Sequence, residues 1–390
     1  MSCSLFALRL TAFVALLVAL PGFSLRNASA DEPLQWRQVT PADVEGRGWS
    51  DVERPFDRLP ARAESQVRKA VWELGRHASG ISVQFTTDAA AVWVRWSLSS
   101  ERLSMTHMPA TGVSGVDLYV KRDGAWQFAA AARPKAAAGN EAMLLQRRAP
   151  KLERFQLNFP LYNGVTSLEI GVNEGAAFTI EPPRTTGAVV FYGTSITQGG
   201  CASRPGMSYV AILGRRLDVP VINLGFSGNG KAEPELAELI AELDPAVFVL
   251  DPLGNLFPEQ VTQRLPGMIS EIRKRHAQVP ILLNENLYYA NTTVSADRLE
   301  RVDDSNRRVN SIVDSFKQSG DLRIDVIPAS DLTQFGGDTT VDGAHPTDLG
   351  MMLMADAIEP SLREALALAG VQTAARSEPA YSNANGPDAP

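Results

Sequence analysis

Ala188-Val189-Val190-Phe191-Tyr192-Gly193-Thr194-Ser195-Ile196-Thr197 is an apolar run that stops at a Gly-X-Ser. Apolar residues in succession, without alternation, suit a strand buried on both faces, as strands of parallel sheets are. Similar runs follow at Val219 to Leu224, Ala246 to Leu250, Val279 to Leu283 and Ile324 to Ile327. Helical spacing fills the gaps: Leu236, Leu239, Ile240 and Leu243 lie behind Pro234, which suits a first helical turn. Leu299, Val302, Val309, Ile312, Val313 and Phe316 mark a longer helix, and a last one is expected from about Thr347 to Leu368. Strands that each lead into a helix predict an α/β domain with a parallel sheet over residues 184–370.

The first half has a different period. Ile81, Val83 and Phe85 alternate with Ser82 and Gln84, Val92 to Leu98 alternate likewise, and Phe155, Leu157 and Phe159 alternate with Gln156 and Asn158. Val116 to Arg122 and Trp126 to Ala129 flank Asp123-Gly124, a hairpin signal. Alternation of this kind predicts an all-β sandwich over residues 31–183, each sheet wet on one face and packed on the other. Glu181-Pro182-Pro183-Arg184 reads as the linker. There is no internal repeat.

Both ends read as lying outside the fold. Arg9 precedes an apolar stretch, Leu10 to Leu20, followed by Pro21-Gly22 and Ala28-Ser29-Ala30, a small-x-small cleavage pattern. Residues 1–30 are therefore expected to be a signal peptide, and the protein to be exported to the periplasm or the extracellular space. The run is short for a membrane span, so no membrane association is expected after cleavage. Residues 371–390, rich in Ala, Ser, Asn, Gly and Pro, are expected to form a disordered tail.

Cleavage removes Arg9 and Arg26 and no acid, which moves the formal charge from −7 to −9. An acidic chain without a basic run argues against nucleic acid or an anionic membrane as partner. Of two cysteines, Cys3 leaves with the leader and Cys201 stays alone. No internal disulfide and no thiolate cluster for a structural metal can then form.

Ligands of open parallel sheets bind beyond the carboxyl ends of the strands. Ser195 follows the first run, Ser227-Gly228-Asn229-Gly230 the second, and Asp251-Pro252-Leu253-Gly254-Asn255 the third. A strand-to-helix turn presents the Ser195 hydroxyl beside free backbone N–H groups, and Gly193 tolerates the backbone such a turn needs. The same Ser195 also fits an ordinary helix cap. Much later comes Asp342-Gly343-Ala344-His345-Pro346. Of four histidines, only His345 has a carboxylate three residues before it in a Gly-containing loop. Asp342 can accept the Nδ1 proton and leave Nε2 to take the proton of Ser195; a surface turn would look similar. Candidate oxyanion donors are the N–H groups of Ser195 and Gly228 and the amide of Asn255, each worth about 3 kcal/mol of barrier. Gly228 also fits a plain turn and Asn255 a loop cap.

Gly193-Thr194-Ser195, Gly228, Asn255 and Asp342-x-x-His345 together resemble the four blocks of the SGNH (GDSL-like) hydrolase superfamily. Gly115-Val116-Asp117-Leu118-Tyr119 is similar to the Gly-x-Asp-Leu-Tyr signature of a β-sandwich preceding some of these esterases, and Asp57-Arg58-Leu59-Pro60 and Val71-Trp72 fit the same group. The resemblance runs from about Trp36 to about Leu368. It implies a flavodoxin-like α/β/α sandwich behind the β domain, and a Ser195–His345–Asp342 triad with Gly228 and Asn255 at the oxyanion. Two blocks depart from the pattern. Gly-Asp-Ser is here Gly193-Thr194-Ser195, and Gly-x-Asn-Asp is Leu253-Gly254-Asn255-Leu256, with Asp251 the nearest carboxylate.

The expected activity is a two-step acyl transfer to water that needs no metal and no organic cofactor. The substrate expected from export and resemblance is a short acyl, such as acetyl, ester of a carbohydrate or other polar alcohol. The same residues fit an acyltransferase, and an exported glycan-binding protein with a decayed hydrolase domain is the non-catalytic alternative. Cys201 fits either the pocket rim or a buried structural thiol, and the latter is expected. Met105-Thr106-His107-Met108 has soft donors, but with no further ligand at hand it reads as a sandwich loop. Asp117 and Tyr119 are expected to be structural. Asn291-Thr292-Thr293 is a glycosylation sequon that matters only in a eukaryotic secretory pathway.

Overall fold

The computed structural model describes residues 33–332 and 336–375. The expected leader falls outside these residues, as does the tail beyond 375. Residues 371–375 of the expected tail are among the described residues. Arg363 donates to Thr373 Oγ1 and to the Ala374 carbonyl, and Ala374 N donates to the Leu217 carbonyl, so the chain returns onto the last helix. Among the described residues, no helix is long and apolar enough to cross a membrane.

The front half forms two antiparallel sheets. One orders its strands Leu34–Gln38, Val165–Asn173, Ala91–Leu98 and Asn140–Gln146. The other orders Phe178–Ile180, Ser82–Thr87, Glu153–Asn158, Val116–Arg122 and Ala125–Ala132, with Val44–Glu45 beside Ser82–Thr87. Val83, Phe85, Val94, Trp96, Leu118, Leu157 and Ile170 fill the core between the sheets. Asp123 (φ 50°) and Gly124 (φ 80°) make the two-residue turn that their sequence announced.

One expectation fails here. The polar face of the second sheet is not wet. Gln84, Gln156, Asn158 and Asp117 are buried on it. Gln156 Nε2 donates to Asn158 Oδ1 (2.8 Å), and Asn158 Nδ2 donates to Asp117 Oδ1 (2.8 Å). Asp117 Oδ2 then accepts from Gly206 N (2.8 Å) and Arg204 Nη1 (2.9 Å) of the second half. Polar alternation satisfies either water or a hydrogen-bonding neighbour, and here the neighbour is the second half. Asp117 and Tyr119 of the signature thus hold a loop of the α/β unit rather than their own hairpin.

The second half is a five-stranded parallel sheet ordered Val221–Gly225, Val189–Gly193, Val247–Asp251, Ile281–Asn284, Ile324–Ile327. In chain order that is 2-1-3-4-5, with the switch point between the first and third strands. Val190, Tyr192, Phe248 and Leu250 face the helices Pro234–Ile240, Pro258–Arg275 and Ala296–Gln318. Val189, Phe191, Val247 and Val249 face Tyr209–Leu217 and Asp348–Leu368. Leu59, Val71 and Trp72, from the segment between the strands Val44–Glu45 and Ser82–Thr87, also pack into the first of these layers. Burial of each contributes about 2 kcal/mol and ties the two halves together.

Candidate active site

Thr194, not Ser195, is the helix cap. Its Oγ1 accepts from Ile196 N (3.2 Å) at the start of the Ser195–Gln198 helix. The Ser195 hydroxyl is thereby free to look outward. Gly193 is needed for a reason other than an unusual backbone angle: a Cβ there would lie 2.2 Å from Thr197 Oγ1 and 2.6 Å from the Asp251 carbonyl. The Ser195 carbonyl accepts from Gly199 N (3.1 Å), Gly200 N (2.7 Å) and Tyr162 Oη (3.1 Å), which fixes the peptide that carries the hydroxyl.

Ser195 Oγ and His345 Nε2 are 2.8 Å apart, and His345 Nδ1 and Asp342 Oδ2 are 2.8 Å apart. The fold thus brings together all three residues of the expected triad. Asp342 Oδ1 accepts from Ala344 N (3.1 Å) and His345 N (2.8 Å), so the carboxylate folds its own loop as well as aiming the ring. Partial burial works against its ionisation, but the His345 and Ala344 N–H groups and the His345 ring outweigh it and hold Asp342 down at about 2. The loop is anchored by Val341 N to the His345 carbonyl (2.8 Å) and by Thr347 N to the Thr339 carbonyl (2.8 Å).

These residues open on a cleft of about 430 Å³ at the switch point, with Gly228, Asn255, Asn286, Tyr289, Arg298 and Arg301 in its wall. Gly228 has φ +67° and its N–H has no acceptor among the described residues; the same holds for Ser195 N–H. Asn255 is less free than expected. Its Nδ2 donates to the carbonyls of Gly230 (3.2 Å) and Phe226 (3.4 Å), the second a long bond. Asp251 stands behind the site, not in it: Oδ2 accepts from Thr197 Oγ1 (2.9 Å) and Tyr209 Oη (3.1 Å), and burial pushes the carboxyl up to about 6. Chemically the arrangement offers a hydroxyl, a base in contact with it, an anion that orients the base, and free N–H groups alongside.

Sequence reasoning missed the brace beneath the turn. His77 Nδ1 accepts from Gln198 Nε2 (3.0 Å), Ser79 Oγ donates to the Gln198 carbonyl (2.6 Å), and Gln198 Oε1 accepts from Ser227 N (3.1 Å). Arg58 is fully buried and donates to the carbonyls of Leu74, His77, Asn223 and Gly225. Only the Asp57-Arg58-Leu59-Pro60 block hinted at it. The wall residues Asn286, Tyr289, Arg298 and Arg301 carry no signal in the sequence, since their common direction comes from packing. Cys201 is a buried free thiol behind the rim, as expected, with burial and the nearby Asp342 charge pushing it up to about 12.

Residues 186–363 match the GDSL-like Lipase/Acylhydrolase family, and residues 34–178 match the GxDLY family, described as the N-terminus of Esterase_SGNH_hydro-type. Among solved structures, the chain is similar to one described as a GDSL-like lipase from Bacteroides ovatus (29% identity, TM-score 0.79, covering 85% of this chain and 98% of that one). It also resembles the fold of a salicylyl-acyltransferase from a tetracycline biosynthetic pathway (20% identity, TM-score 0.69, covering 86% and 98%). The fold of a family two carbohydrate esterase from Cellvibrio japonicus is related too (14% identity, TM-score 0.55, covering 86% and 99%). No curated protein matches the chain.

Proposed function

Because the chain belongs to the GDSL-like lipase/acylhydrolase family and carries the N-terminal GxDLY domain, we propose that it is an exported serine esterase acting on short acyl esters of a carbohydrate or another polar alcohol. The observation that carries this reading is the 2.8 Å contact of Ser195 Oγ with His345 Nε2, in line with the 2.8 Å contact of Nδ1 with Asp342.

His345 takes the Ser195 proton as Oγ attacks the ester carbonyl, and Asp342 stabilises the imidazolium that forms. The N–H groups of Ser195 and Gly228 receive the oxyanion, and Asn255 joins them by giving up its 3.4 Å bond to the Phe226 carbonyl. His345 then returns the proton to the leaving alcohol and activates water to release the acid. Neither step requires a metal or organic cofactor. A cleft walled by Asn255, Asn286, Asn291, Arg298 and Arg301 suits a hydroxyl-rich alcohol better than a long acyl chain. Export rests on the leader read in residues 1–30.

A serine-reactive phosphonate is expected to label Ser195, with labelling lost in His345→Ala. Hydrolysis of p-nitrophenyl acetate is expected to vanish in Ser195→Ala. An adduct on another serine, or equal rates in Ser195→Ala and parent, would sink the proposal. The fold shared with an acyltransferase makes transfer to an added alcohol the second reading. It is distinguished by whether new ester accumulates at the expense of free acid.

A further inference from the structure

The front domain delivers a second histidine to the rim. His107 sits on a loop closed by reciprocal backbone bonds between Met105 and Met108 (3.0 and 3.2 Å). Its ring centroid is 5.7 Å from that of His345, at an interplanar angle of 40°. Cys201 lies beside them as a buried free thiol, in a left-handed backbone conformation with φ 70°. One donor atom each from His107, Cys201 and His345 lie within 4.8 Å of one another. The loop that lacked further ligands along the sequence therefore has two in space.

Two imidazoles and a thiol form a donor set for borderline divalent ions, Zn²⁺ above all. Zn–N bonds of about 2.0 Å and Zn–S of about 2.3 Å place tetrahedral ligands roughly 3.5 Å apart. From within 4.8 Å of one another, the three donors reach that spacing only if the side chains of both His107 and Cys201 adjust. We propose that His107, Cys201 and His345 form a site for one divalent transition-metal ion, and that its occupancy switches the hydrolytic site off. On binding, the thiol proton leaves to solvent, a sulfur–metal bond takes its place, and no group is oxidised or reduced. With His345 Nδ1 held by Asp342 at 2.8 Å, coordination falls to Nε2, the atom in contact with Ser195 Oγ. A metal on that lone pair leaves the serine without a base. The switch rests on the esterase reading, whereas the metal site does not.

The test uses the full chain, freed of metal by a chelator. One equivalent of Co²⁺ is expected to give a thiolate-to-cobalt charge-transfer band that Cys201→Ser abolishes. His107→Ala is expected to weaken Zn²⁺ binding at least about tenfold. Zn²⁺ is expected to suppress hydrolysis by the parent at the midpoint of binding, with chelator restoring it. In both variants inhibition, measured against each variant's own metal-free rate, shifts to higher Zn²⁺. Absence of the cobalt band, or Zn²⁺ affinity unchanged in both variants, overturns the site. The band together with Zn²⁺-insensitive hydrolysis overturns the switch. The band in a protein that hydrolyses no ester supports the site and removes the esterase reading instead.

Discussion

The two sides of the Ser195 turn are built to different standards. On the rim side, the side chains of His345 and Asp342 retain 25% and 39% of their exposure and hang on one short loop. On the back side, Arg58 is 1% exposed and ties four carbonyls from both halves of the chain into one knot. In the proposed mechanism the rim meets substrate and exchanges protons, so its groups need solvent access and a clear path between them. The back must hold the turn still, and burial strengthens every bond made there while making each costly to remove. Activity and stability should therefore separate by side.

The largest expected effect lies on the rim. Asp342→Asn should lower kcat by about 10⁴, because the amide favours the wrong tautomer of His345. Its urea midpoint should stay near that of the parent, since the loop keeps an acceptor for the His345 and Ala344 N–H groups. A mutant that unfolds as it loses activity would erase the division between the two sides. Asp342, held at about 2, also stays ionised above about pH 3, so a loss of rate between pH 4 and 6 does not report this carboxylate.

The next effect lies at the back. Arg58→Met removes every donor from the knot and should cost about 3 kcal/mol, read as a lowered urea midpoint. The folded fraction should still be labelled by phosphonate at Ser195. An unchanged midpoint would show that Arg58 is filler.

The smallest effect has a defined pH window. Burial raises the Asp251 carboxyl from 3.8 to about 6, so between those values the folded chain binds the proton that the unfolded chain has released. Its contribution to stability is full below about pH 4 and is lost as pH rises through about 6. Asp251→Asn should flatten that slope and stabilise the protein at neutral pH. A slope identical to the parent's would mean that Asp251 is ionised throughout.

The parallel sheet was readable from runs such as Val189 to Tyr192, and the front sandwich from the alternation around Val83 and Leu157, because periodicity is local. The conclusion that failed, a wet polar face on the second sheet, failed because Gln84 and Asn158 look the same in sequence whether they meet water or a neighbouring domain. Likewise Thr194 and Ser195 are equally good caps on paper. Only the finished turn shows that Thr194 takes the cap and leaves Ser195 outward.

By itself the chain determined its strands, its helices and the three side chains proposed to act on an ester, since these follow from pattern and chemical type. The tertiary structure decided that Ser195 meets a histidine 150 residues away, that Arg58 knots the two halves, and that His107 and Cys201 stand beside the same ring. The reason is physical: side-chain period sets which face is apolar, but only the packing of those faces sets which distant groups share a site.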